Sequence, residues 1–233
     1  MAHRRNQNPS TVPRGLLARP LDALVFLLPL ILFYEAVSIV RGQHRVIAYD
    51  LMQRFFELFG HVGIWAPGVA VVAILLATHV ASRRSWSISW RRVGWMYLEA
   101  AVLSIPLLLL NWQISLSALS GPMAARIDRI AMGVGAGIYE ELVFRLILIS
   151  LVVIVGVDIL RRRRGPVAFV GIMLSSLAFA AHHYQPIGAD AFELTSFVFR
   201  TVAGIYLAGV FWFRGYGPAA GCHAAYNVVL ACT

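Results

Sequence analysis

Apolar runs of about 20 residues, the length that carries an α-helix across a bilayer, recur along this chain between short arginine-bearing turns. Seven are predicted, at about residues 22–40, 63–82, 94–112, 129–160, 166–184, 191–213 and 218–232. The fourth would be about 48 Å long if wholly helical, so it is expected to tilt, kink or extend beyond the bilayer. The seventh is short for a full crossing. Between the first two, Leu51, Phe55, Leu58 and Phe59 alternate with Asp50, Arg54 and Glu57 at helical spacing. One apolar face results, which predicts an interfacial helix at about residues 47–60, lying on the membrane as a surface anchor.

Composition sharpens this reading. Only 13% of the residues are charged and 59% are hydrophobic, against about 25% charged in a soluble domain. The expected fold is all-α, a polytopic bundle of about seven (six to eight) transmembrane helices around a buried polar cavity. Residues 1–128 are expected to supply N-terminal membrane helices and residues 129–233 the chemistry, as one integral membrane unit. The net charge of +9 comes from arginine, for the chain has no lysine. Because these arginines sit in short loops, they point to membrane topology and not to nucleic acid.

With the N-terminus inside, Arg4, Arg5, Arg14, Arg19, Arg83, Arg84, Arg91, Arg92, Arg161 to Arg164 and Arg214 share the inner side. The opposite loops hold Arg41, Arg45, Arg54, Arg126 and Arg129. That asymmetry predicts a cytoplasmic N-terminus and, with an odd number of spans, an external C-terminus. The run from Ala23 to Val40 lacks a small-x-small cleavage site and is expected to stay as the first span. Arginine without lysine suggests a GC-rich bacterial gene, hence the bacterial inner membrane. Cys222 and Cys232 lie about 15 Å apart on one helix, too far for a disulfide, and are expected to act as small buried hydrophobes. Gly133, Gly135 and Gly137 have no preceding strand, so close packing of membrane helices is expected, not a phosphate loop.

The polar exceptions point to chemistry. Glu140, Glu141 and Arg145 interrupt an apolar run, where each ionised group costs roughly 2.5–3.5 kcal/mol on insertion scales. Glu141 and Arg145 are i and i+4 with the acid first, the better order for an intrahelical pair. Glu140 points about 100° away and has no local partner, which suits it to general acid–base work. Phe179, His182 and His183 follow on one later helix. His223 and Asn227, again i and i+4, share a face of the last. Glutamate, histidines and asparagine converging could activate a water and stabilise an oxyanion. Glu140, His183 and His223 could equally hold zinc. No cofactor is firmly implied.

Glu140-Glu141-x-x-x-Arg145, Phe179-x-x-x-His183 and His223-x-x-x-Asn227 together resemble the three signatures of the CPBP intramembrane protease family, which includes the CAAX prenyl endopeptidases and bacterial Abi-type proteins. The resemblance spans about residues 129–232. It implies an endopeptidase embedded in the membrane, in which Glu140 and His183 activate the hydrolytic water and His223 and Asn227 stabilise the tetrahedral oxyanion. Glu141 and Arg145 would support the first motif. His182 is expected at the interface or behind the site, because the phenylalanine spacing selects His183. The implied partners are membrane lipids and a membrane-associated peptide or protein, lipidated or anchored by its C-terminus. A non-enzymatic transporter, scaffold or immunity protein with a polar core remains the alternative, although no repeated halves with broken helices are visible.

Overall fold

The computed structural model describes residues 19–41, 47–57, 65–111 and 123–232. Arg4, Arg5, Arg14 and Arg45 of the charge pattern, Leu58 and Phe59 of the amphipathic face, and the side chains of Phe55 and Glu57 lie outside that description.

Eight helical rods and no strand occur among the described residues. Helix α1 is Pro20–Arg41, α2 Ile47–Glu57, α3 Ala66–Ala81 and α4 Trp90–Asn111. Helix α5 starts as an α-helix over Met123–Glu140 and widens into a π-helix at Glu141–Ile149. It then tightens for one turn at Ser150–Val153 and widens again at Ile154–Ile159. Helix α6 is Arg164–Ala181, α7 Leu194–Arg214 and α8 Tyr216–Cys232. Each of the seven expected runs meets one of these rods, and the interfacial segment meets α2.

Five rods are long and apolar enough to cross a membrane: α1, α4, Ala125–Ile159 within α5, α6 and α7. Helix α3 is apolar but shorter, and α8 has 17 residues. Outward-facing Leu32, Val40, Leu109, Leu151 and Phe169 are exposed, as a lipid-facing surface requires. Interior prolines stand in α1 (Pro29) and α4 (Pro106), tolerated in membrane spans where neighbouring helices meet the freed backbone groups.

Helix α8 is the centre of the bundle. Its side chains from Tyr216 to Ala224 are all buried, and five of them are Gly217, Ala219, Ala220, Gly221 and Ala224. Small side chains let neighbouring backbones close in, and α5 and α4 are its most extensive partners. The missing Cβ of Gly137 would lie 2.5 Å from the backbone nitrogen of Ala224, so only glycine permits this α5–α8 approach. Tyr216 locks the same pair by donating to the Ile138 carbonyl at 2.8 Å. Gly215, at φ 98°, makes the one-residue turn from α7 into α8, a left-handed backbone that glycine adopts without steric penalty.

Glu35 and Glu99 are paired across elements, and the exposed Glu193 caps its own helix. Glu35 on α1 accepts hydrogen bonds from Tyr139 at 2.7 Å and Tyr49 at 3.3 Å, which docks α2 through its buried Ala48, Tyr49 and Met52. Leu51 on the other side of α2 faces outward. Glu99 on α4 is bridged to Arg214 on α7. Glu193 caps α7, accepting from the backbone nitrogens of Thr195 at 2.9 Å and Ser196 at 2.6 Å. Those bonds, that to Ser196 foremost, hold its carboxyl at about 2.

Candidate active site

Glu140 is the last residue of the α-helical part of α5, and Glu141 opens the π-helix. Widened turns leave main-chain carbonyls to be satisfied from elsewhere and often occur at functional sites. Here Ser175 of α6 donates to the Phe144 carbonyl at 2.7 Å. That contact ties α6, and the histidines at its end, to the widened turn.

Arg145 and Glu141 form the expected i, i+4 pair at 3.1 Å, both wholly buried. Removing two charges from water is costly, and their attraction offsets it only with further partners present. The guanidinium also donates to the Gly204 carbonyl at 3.3 Å and lies 4.2 Å above the Phe179 ring. Arg145 therefore joins α5 to α6 and α7 in one place. Phe179 of the second motif acts here as the platform for that cation.

His223 reaches both glutamates. Its Nδ1 lies 2.9 Å from Glu141 Oε1 and its Nε2 3.9 Å from Glu140 Oε2. The approach of α8 at Gly137 is what brings it there. Asn227, one turn further along α8, donates to the Gly133 carbonyl at 3.3 Å.

Glu140 is buried and has an interhelical partner that no local spacing could reveal. His182 Nε2 lies 3.3 Å from Glu140 Oε1. The expected place of His182, at the interface or behind the site, does not name this contact. Both rings direct Nδ1 at the Phe179 carbonyl, at 2.5 Å for His182 and 2.9 Å for His183. If each Nδ1–H donates there, each Nε2 keeps a free lone pair. The two differ in surroundings: His182 is buried against the Phe144 ring at 4.7 Å, whereas His183 is half-buried and lines a cavity. The only sequence cue to His182 was its adjacency to His183, since a contact between α5 and the end of α6 has no periodic signature.

That cavity, about 190 Å³, is lined by Glu140, His183, Arg200, His223, Tyr226 and Asn227 together with apolar side chains. It thus gathers all four expected catalytic residues around one space, while Glu141 and Arg145 stay behind it. The turn after α6 holds the histidines: Asp190 donates its backbone N–H to the His183 carbonyl at 3.1 Å, and its carboxylate takes Arg200 at 2.7 Å.

A metal would meet a different set from the expected one. Ligand atoms of Glu140, His182 and His183 lie within 4.8 Å of one another, and His223 is outside that group. The donor chemistry fits zinc, because each imidazole can donate its far N–H to a carbonyl, as metal-binding histidines do. Such an ion would polarise a bound water.

Residues 122–229 match the sequence model of the Rce1-like family, described as type II CAAX prenyl endopeptidase Rce1-like. This is the family that the three motifs resemble, over nearly the same span. No curated protein and no solved structure matches the chain.

Proposed function

We propose that this helical membrane protein, with its Rce1-like, CAAX-protease-type domain, is an intramembrane endopeptidase whose Glu140 carboxylate activates the hydrolytic water. The observation that carries the reading is the placement of Glu140, His183, His223 and Asn227 around one polar cavity inside an apolar bundle. A buried carboxylate beside imidazoles can take a proton from water and return it to a leaving amine.

In this mechanism Glu140 and His183 hold the water at the cavity wall. The attacking oxygen adds to the scissile carbonyl while Glu140 takes its proton. His223 and Asn227 donate to the developing oxyanion, which requires the Asn227 amide to leave the Gly133 carbonyl and His223 Nε2 to carry a proton. Glu141, accepting from His223 Nδ1, would stabilise that charged imidazole. Collapse of the tetrahedral state expels the amine, which takes the proton from Glu140. His182 positions the Glu140 carboxylate from behind, which requires its Nε2 to carry a proton as well.

The substrate is a membrane-associated peptide, lipidated or anchored by its C-terminus, and the location is the bacterial inner membrane with the N-terminus cytoplasmic. The mechanism is metal-free because each polar residue already has a role. Stoichiometric zinc whose removal and return switched activity off and on would replace it with the Glu140, His182, His183 metal reading.

Peptide termini in membranes carrying the native chain or Glu140→Gln provide the test. New N-termini with the native chain alone would support proteolysis and identify the substrate. Full activity in Glu140→Gln would refute the mechanism.

A further inference from the structure

A second polar site occupies the opposite end of the bundle. Arg200 lines the Glu140 cavity, and Arg214, on the same helix, lines a different one. Fourteen residues of helix separate them by about 21 Å. Where α1 and α4 begin and α3 ends, a cavity of about 310 Å³ is lined by residues that include Arg19, Asp22, His79, Arg84 and Arg92. An adjoining cavity of about 330 Å³ shares four of them and extends to Glu99 and Arg214.

Two features mark this as a binding site and not only a solvated charged rim. His79 is buried, at 2% exposure, and lines the cavity with neither ring nitrogen hydrogen-bonded among the described residues. Its only ring contact there is edge-on to Trp86 at 4.6 Å. Buried polar groups normally have a partner, so one left unpaired beside a cavity points to something that completes it.

The charge is also unbalanced. Asp22 is engaged by Arg92 at 2.8 Å, Arg19 at 3.8 Å and the Ser89 backbone N–H at 3.2 Å. Glu99 is taken by Arg214. Arg84 makes no ion pair among the described residues, and the first cavity sets three arginines against one aspartate.

We infer that this pocket binds a phosphate-bearing anion, held by the guanidinium groups of Arg84 and Arg92 and completed by a hydrogen bond from His79. Arginine's planar fork matches phosphate oxygens, and an imidazole N–H supplies one further donor. The surroundings favour an anionic phospholipid headgroup as the source. Trp86, Trp90 and Trp95 are all exposed beside the pocket, and exposed tryptophans gather at the membrane–water boundary. Basic pockets between membrane helices at that depth recognise lipid phosphates.

The test uses the purified full-length chain in neutral detergent, with phosphatidylglycerol, phosphatidylcholine or glycerol phosphate added. Native mass spectrometry and melting temperature report binding. Phosphatidylglycerol should remain bound and raise the melting temperature, and phosphatidylcholine should not. Arg84→Gln and His79→Gln should each weaken phosphatidylglycerol binding roughly tenfold, a loss of one charge-assisted contact. Arg161→Gln, at a separate basic turn, should leave it unchanged. Equal protection by glycerol phosphate would uphold the phosphate chemistry and assign it to a soluble compound. Should His79→Gln fail to fold, Arg84→Gln on the exposed turn still decides. Unchanged retention in Arg84→Gln, or equal binding of phosphatidylcholine, would overturn the assignment.

Discussion

His182 Nε2 stands 3.3 Å from Glu140 Oε1, while the neighbouring His183 faces the cavity. Two adjacent histidines therefore divide into one behind the carboxylate and one lining the cavity. His183→Ala should remove turnover. His182→Gln should leave a folded, slower enzyme, with kcat down by about 10²-fold, the scale of a small displacement of a catalytic group, and KM little changed. Steady-state kinetics on both variants checks this; the reverse order would exchange the two roles.

Arg145 links three helices through Glu141, the Gly204 carbonyl and the Phe179 ring. Arg145→Ala should cost about 3–5 kcal/mol, as when one partner of a buried ion pair is removed. The loss should appear in the melting temperature of the purified chain and in its yield. A variant as stable as the native chain but inactive would instead move Arg145 into the chemistry.

Glycine contacts make a separate prediction about geometry. A Cβ on Gly137 would meet the Ala224 backbone at 2.5 Å, and one on Gly188 would meet the His183 carbonyl oxygen at 2.0 Å. Gly137→Val should force α5 and α8 apart, destabilise the bundle by about 1–3 kcal/mol and draw His223 from both glutamates. Gly188→Ala, in an exposed turn, should reduce activity with a smaller change in melting temperature. Equal losses of stability in the two variants would contradict this separation.

Glu193 gives a pH dependence whose sign follows from its cap. Its folded carboxyl is lowered to about 2, first by the Ser196 backbone N–H. The cap's contribution is therefore complete above the ordinary glutamate range near 4.3 and is lost as pH falls through about 2. Glu193→Ala should melt earlier than the native chain at pH 6, and the gap should narrow steadily towards pH 2. A constant gap would mean that the cap acts through packing and not through charge.

Much was legible from residue order alone. Spacing within one helix predicts the Glu141–Arg145 pair, and the alternation of apolar runs with arginine turns predicts the succession of helical rods. Both depend on contacts within a few residues, which sequence distance reports directly. Even the length of the fourth run was informative, for it becomes a rod broken twice by π-helical stretches. The partner of Glu140 was not legible. It depends on how far α6 sits along α5, which Ser175, the Phe144 carbonyl and Arg145 set together.

The sequence by itself determined that the chain is a membrane helix bundle and which polar residues interrupt its apolar runs, because desolvation acts on each residue according to its own type. Only the tertiary structure decided which of those residues meet. The reach of His223 to both glutamates, the approach of His182 to Glu140, and the imidazole of His79, unpaired among the described residues, depend on helix offsets of a few ångströms. Those offsets are set by side-chain volumes at distant contacts, such as the missing Cβ of Gly137, and no local periodicity encodes them.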